Sequence, residues 1–272
     1  MARVKVVTDS AAELPPEMVE RLGITVVPLN IHFADETLRD GLDITPEQFY
    51  RRLEHSPTLP FSSPPSLKAF QEVYTELSRT TDQIISIHVS SKLSRTVDIA
   101  QAAVETLISR CRIAVVDSFS ISLGLGILVS TAAEAAAQGM SLDRVVRQVR
   151  GMIPRIYIVF FVETLEYLER EKRIGKAQAI LGTMLDIKPI LIVEEGEIIP
   201  LEKVRTRAKA VDKLFEFVAE FSHIQRVAIL QSVPNDDSQT LIERLEMIFP
   251  NMKFPVVTYG PVLATHVGPD AT

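Results

Sequence analysis

The sequence is short of the residues that build metal, redox and nucleotide sites. One cysteine, Cys111, stands in 272 residues, which excludes an internal disulfide and any multi-cysteine metal cluster. It follows an arginine and opens an apolar run, so it reads as a buried thiol rather than a reactive one. The histidines His32, His55, His88, His223 and His266 fall in no HExxH or HxH spacing, the pattern that metal ligation on one helix or strand requires. Neither GxxxxGK(S/T) nor GxGxxG occurs, so no phosphate loop of the nucleotide type is present. Positive charge is not in excess: 29 Lys and Arg against 35 Asp and Glu leave a net charge of −6. That argues against nucleic acid, whose binding needs a basic face. The longest apolar runs, "IYIVFFV" and "IKPILIV", fall far below the ~18 residues of a spanning helix. The first residues, "MARVKVVTDS", enter a strand directly, with no secretory h-region. The expectation is a soluble cytoplasmic protein with only transient membrane contact.

What is present is an ordinary globular composition, 46% hydrophobic and 24% charged, enough for one large or two modest cores. "VKVVTDS", "ITVVPLNIHF", "QIISIHVS" and "RIAVVDS" read as strands. "PEMVERL" before Gly23, "TPEQFYRRLEHS" behind an N-cap Thr45, "SLKAFQEVYTELSRT", "TVDIAQAAVETLIS" and "LGLGILVSTAAEAAAQG" read as helices. "PTLPFSSPPS" reads as a loop because of its prolines. Strands alternating with helices predict a mainly parallel sheet flanked by helices over residues 1–150. Beyond Gly151 the pattern changes. "IYIVFFV", "IKPILIV", "RVAILQS" and, more weakly, "FPVVTYG" are strands, "VEEGEII" is a hairpin about Glu195-Gly196, and two helices lie between. Residues 151–272 therefore read as a second, mixed α+β domain.

Four hydroxyl-rich segments follow or flank the strands of the first half: "TDS", "FSSPPS" (Ser62, Ser63, Ser66), "VSSKLS" (Ser90, Ser91, Ser94) and "VDSFSIS" (Asp117, Ser118, Ser120, Ser122). A single such loop is most often a helix cap. Several at the carboxyl edge of one parallel sheet lie where α/β proteins hold ligands. Hydroxyls and helix-end amides suit a small anion such as a carboxylate. Two basic clusters, around Arg170, Lys172, Arg173 and Lys176 and around Lys203, Arg205, Arg207 and Lys209, read as solvated faces or as receivers of phosphate or an acidic partner. His88 lies in a strand and reads as a core histidine. His266 sits in "THVGPDAT", which reads as an accessible loop. The apolar stretches "IYIVFFV" and "AILGTMLDIKPILIV" read equally as plain core and as a lining for an acyl tail.

The segments "VVTDSAAELP", "FSSPPSLKAF", "HVSSKLSRTVDIAQAA", "VVDSFSISLGLGILV", "LEYLEREKRIGKAQAILGTMLDIKPIL", "KVRTRAKA" and "HVGP", in this order and spacing, resemble the DegV family of bacterial fatty-acid-binding proteins along essentially the whole chain. The resemblance implies a two-domain α/β protein that binds one long-chain fatty acid such as palmitate, stearate or oleate, with its carboxylate at the domain interface and its chain buried. It implies no cofactor and no catalysis by this chain alone. Some members present the bound acid to a separate ATP-binding fatty acid kinase subunit, which forms acyl phosphate. Carried over by position, the head-group residues are Ser62, Ser63, Ser94 and His266, with Ser94 the principal carboxylate ligand. Arg170, Arg173, Arg205 and Arg207 would face phosphoryl transfer or the partner. Pro64 and Arg95 stand where the family pattern has Gln and Gly. Two rival readings are a regulatory protein sensing another small acid and a hydrolase using Ser94, His266 and Asp117. The second lacks a GxSxG elbow.

Overall fold

A computed structural model describes residues 4–34, 36–107, 111–170 and 187–272. Valine- and isoleucine-rich runs form a parallel sheet of four strands, β1 (Lys5–Asp9), β2 (Ile24–Val27), β6 (Gln83–His88) and β7 (Arg112–Asp117), in the order β2-β1-β6-β7. These strands read as continuous apolar runs because both faces are covered. Alternation divides their side chains. Val7, Val27 and Ile84 pack under the helices Leu67–Ser78 and Thr96–Glu105, with Phe70, Tyr74 and Ala100. Val6, Ile85, Ile87 and Val116 face the opposite side, with Leu125, Leu128, Val145 and Val149 of the helices Ser122–Ala137 and Leu142–Met152. The helix Ser122–Ala137 is apolar nearly all round, and it is buried nearly all round. Gly126 lets it approach the loop after β1: a Cβ there would lie 2.5 Å from the carbonyl oxygen of Ala12.

Two expectations need correction. "ITVVPLNIHF" is not one strand. It breaks at Pro28, which has no N–H for a ladder, into β2 and β3 (Asn30–Phe33), and these belong to different sheets. "PTLPFSSPPS" is not all loop. Phe61–Ser63 forms a short strand, β5, antiparallel to β3, whose other neighbour is β4 (Glu36–Arg39). The register sets Ile31 opposite Ser62 and His32 opposite Phe61.

In the second half β8 (Ile158–Phe161), β9 (Lys188–Glu194) and β10 (Glu197–Val204) form an antiparallel sheet. The β9–β10 hairpin turns at Glu195 and Gly196, φ 48° and 83°, the paired left-handed conformations of a two-residue hairpin. β11 (Ile229–Gln231) and β12 (Val256–Thr258) pair in parallel. The helices Arg207–Ala219 and Asp236–Ile248 pack on one another over a second core that includes Phe161, Ile190, Leu214 and Leu245. Residue 150 lies inside the helix Leu142–Met152, and the two halves interlock beyond it. Ser90 donates to the Gly196 carbonyl at 2.8 Å, and the helix Pro261–Val267 returns to pack on β5 and on the helix Pro46–Leu53. Cys111 is half-buried, and burial raises its thiol pKa, so it is a poor nucleophile.

Candidate functional site

The loops after β1, β6 and β7 meet at the carboxyl edge of the parallel sheet, and most of their polar groups serve each other. Asp9 accepts from the amides of Ala11 and Val89 and lies 2.9 Å from His88 Nδ1. His88 Nε2 meets Ser86 Oγ at 2.7 Å, and Tyr74 donates to that hydroxyl. Asp9, His88 and Ser86 are wholly buried, so this chain of hydrogen bonds is a structural network, and His88 is the core histidine that the sequence implies. Asp117 accepts from the amides of Ser91 and Phe119. Ser118 closes a turn on Ser120, and Ser66 caps the helix Leu67–Ser78. Ser94 Oγ is 2.8 Å from Thr96 Oγ1 at the start of the helix Thr96–Glu105. Ser94 and Asp117 thus have hydrogen-bond partners of their own.

His266 is not in an accessible loop. Gly260 and Pro261 start a short helix, Pro261–Val267, and proline at its first position stabilises that start. Its burial turns His266 inward, 2% exposed, with Nε2 3.4 Å from Ser62 Oγ. Ser62 is itself buried. Strand alternation sends the neighbouring Ser63 to the other face of β5, where its hydroxyl meets His32 Nε2 at 2.7 Å. Of the two β5 serines, the structure therefore brings Ser62 to His266 and places Ser63 elsewhere. Tyr50 donates to the Tyr259 carbonyl at 2.9 Å, and Tyr259 donates to that of Gly268 at 2.8 Å, fixing both ends of the His266 helix.

Beside His266 opens a cavity of about 880 Å³, within the range of small-molecule sites. It runs between the two cores. Ile127, Ile158, Phe160, Leu214 and Leu245 form apolar walls, and Ser122 and Thr272 also line it. Thr272 Oγ1 is buried without a hydrogen-bond partner. Ser122 and Glu134 both line the cavity from a single helix. Their separation along it, at ~1.5 Å per residue, is about 18 Å, so the cavity is long as well as apolar. Of the two proposed tail linings, "IYIVFFV" contributes Ile156 to Phe160. In "AILGTMLDIKPILIV", residues 179–186 lie outside the described residues, and Val193 reaches the cavity.

Sequence reading missed Glu13. It sits in the left-handed region (φ 49°) after β1 and accepts from the Ser122 hydroxyl and, at 2.6 Å, from the Gly260 amide. Burial pushes its carboxyl up to about 7 against the lowering effect of those two bonds, and burial likewise raises Asp40 nearby to about 6. No local pattern marks Glu13, because its partners lie 109 and 247 residues away.

The basic residues separate. Arg205 is exposed. Arg207 is instead held between Glu163 at 2.7 Å and Asp237, and stacks 5.0 Å from the Phe161 ring. Arg207 is thus committed to the protein's own acids rather than to a free positive surface. Arg170 ends the helix Glu166–Arg170, with its side chain outside the description, and Arg173 with Lys172 and Lys176 lies outside the described residues. Arg95 has φ −78°, which any residue adopts, so a glycine is not required there. Among the described residues no cluster of His, Cys, Asp and Glu could hold a metal, and no helix is long and apolar enough to cross a membrane.

A family model described as "Uncharacterised protein, DegV family" matches residues 3–272. The chain belongs to the DegV family. Protein DegV of Bacillus subtilis is 32% identical over 272 residues, covering 98% of this chain and 96% of its own. A solved structure described as fatty acid binding of a DegV family protein from Thermus thermophilus superposes with a TM-score of 0.86 at 36% identity, covering 99% of this chain and 97% of that one. A fatty acid binding DegV family protein from Streptococcus agalactiae reaches 0.92 at 28% identity, covering 100% and 97%. The parallel sheet with flanking helices, joined by antiparallel sheets, is therefore the DegV fold.

Proposed function

We propose that this chain binds a long-chain fatty acid, such as palmitate, stearate or oleate, with the carboxylate at the His266 end and the acyl chain in the cavity between the cores. The observation that carries this reading is the long, mainly apolar cavity lined by the buried imidazole of His266 and by Ser122 and Thr272, with Ser62 behind His266. The Thermus thermophilus and Streptococcus agalactiae relatives, described as fatty acid binding, support it. Burying a sixteen-carbon tail contributes on the order of 10 kcal/mol gross at ~0.8 per CH₂, and much of that is offset by ordering and association. The tail sets affinity and the head group sets orientation. Ser62 and His266 hold the carboxylate, and Ser94 joins them from the loop after β6. Ser94 Oγ can accept from Thr96 and keep its own hydrogen for the ligand.

On this reading the protein is a cytoplasmic lipid carrier without a cofactor, not an enzyme on its own. It touches membranes transiently and presents the acid to a separate fatty acid kinase subunit, with Arg170, Arg173 and Arg205 on the side of the partner. The residues up to about 150 supply the head-group loops, and those beyond help to bury the tail. Native mass spectrometry of protein purified from cells tests the binding. A co-purifying mass of a C16–C18 acid is expected. A clean apo mass, with tight binding of a sugar acid instead, would overturn it.

A further inference from the structure

Glu13 joins the first turns of two helices that meet at the head-group end of the cavity. Its Oε1 accepts from the amide of Gly260, the residue that starts the helix carrying His266. Its Oε2 accepts the hydrogen of Ser122, the first residue of the long buried helix Ser122–Ala137. Ser122 lines the cavity and is itself fully buried. A serine hydroxyl has a single hydrogen to donate. While Glu13 is ionised, that hydrogen is committed to Glu13, and a ligand in the cavity meets only the acceptor side of Ser122.

We propose that Glu13 and Ser122 form a proton-coupled head-group switch, in which protonation of Glu13 reverses the bond between them and frees the Ser122 hydrogen for the ligand carboxylate. This rests on the fatty acid reading above and deepens it. The balance is simple. A proton from solvent adds to Glu13 Oε2, which becomes an O–H donor to Ser122 Oγ. The Ser122 hydrogen rotates towards the cavity, and Oε1 keeps its bond to Gly260. The bound carboxylate then gains a donor, and one anionic neighbour is neutralised.

The surroundings favour this. Burial brings Glu13 to about 7, so either form is accessible near neutrality. The ionisable groups around it are Asp40 from the turn after β4, Tyr50 from the helix Pro46–Leu53 and Tyr259 before the His266 helix, with Asp9 behind Asp40. No cation appears among the groups that shift Glu13 in the described residues, and His266 lies on the helix that Glu13 ties through Gly260. An incoming carboxylate adds like charge and shifts Glu13 further towards the neutral form. Glu13 is neutral below about 7 and ionised above it. Ligand affinity should therefore fall as pH rises through that value, by up to about tenfold per pH unit for one linked proton.

The test compares oleate binding by wild type, Glu13→Gln and Ser122→Ala on both sides of neutrality, with thermal melting in parallel. The titration of oleate is common to all three, so differences isolate the pair. Glu13→Gln presents an amide N–H to Ser122 permanently. It should bind at every pH as tightly as wild type does at low pH, with the extra slope gone. Ser122→Ala should lose the part of the slope that the freed hydrogen supplies, keeping only the weaker part due to like-charge repulsion from Glu13, with the larger loss of affinity at low pH, and it carries the test alone if Glu13→Gln does not fold. Oleate binding with the wild-type slope in both variants overturns the switch and leaves the fatty acid reading intact. Affinity lost at every pH in Glu13→Gln, in step with stability, would make Glu13 a structural tie only. No oleate binding by any of the three overturns both readings.

Discussion

Ser62 Oγ and His266 Nε2 lie 3.4 Å apart across 204 residues of chain. The contact brings a three-residue strand of the first half against a two-turn helix near the end of the second. His266 also lines the cavity, so the contact ties β5 to its wall.

Replacing either residue should weaken fatty acid binding more than it weakens the fold. Ser62→Ala and His266→Ala each remove one hydrogen bond to a charged group, roughly 1.5–3 kcal/mol. Oleate affinity should fall about ten- to a hundred-fold. Ser94→Ala should act in the same direction. Isothermal titration of folded variants measures this, and unchanged affinity would remove the residue from the head-group set.

Filling the cavity should shorten the acids it accepts. Glu134 lines the wall about 18 Å beyond Ser122 at ~1.5 Å per residue. Glu134→Trp should cost far more affinity for an eighteen-carbon acid than for a twelve-carbon one. A displacement series over chain length reads the difference, and a uniform loss would place the tail elsewhere.

The hairpin that ties the halves together depends on a glycine. At Gly196, φ is 83° and a Cβ would lie 2.4 Å from Ser90 Oγ. Gly196→Ala should destabilise the protein by about 1–3 kcal/mol, seen as a lower midpoint in thermal denaturation. A midpoint equal to wild type would mean that the tip does not dock on Ser90.

Arg205 and Arg207 should separate in their effects. Arg207→Ala strands Asp237 and leaves Glu163 only its pair with Lys188, and a loss of about 1–3 kcal/mol of stability is expected. Arg205→Ala, at an exposed position, should change stability by less than about 0.5 kcal/mol and slow only kinase-dependent acyl phosphate formation. Denaturant titrations of both variants, with a coupled kinase assay, check the division.

Purified alone, with ATP, magnesium and oleate, the protein should make no acyl phosphate, because the sequence carries no phosphate loop or kinase motif. Mass spectrometry of the lipid fraction would detect turnover, and steady ATP-dependent product without a second protein would refute the carrier reading.

The parallel sheet was legible because its strands are long apolar runs between helices with clear start and stop signals, such as Thr45-Pro46 and Gly23. The small antiparallel sheet was not. β5 has three residues between prolines, too few for a period-two pattern, and β2 and β3 look continuous until Pro28 sends them into different sheets. The Gly268-Pro269 pair after His266 suggested a loop, whereas the preceding residues form a helix that the surrounding core buries.

By itself the sequence determined the class of protein: an acidic α/β chain with one cysteine and no phosphate-loop motif, with hydroxyl-rich loops at the edge of a parallel sheet. Those properties follow from composition and local periodicity, which act over a few residues. The tertiary structure alone decided which hydroxyls meet the histidine, that Ser63 turns away, that Arg207 is internally paired and that Glu13 joins two helix ends. Each depends on groups far apart in the chain, brought together because the two halves bury apolar surface against each other. Local propensity carries no information about such pairings.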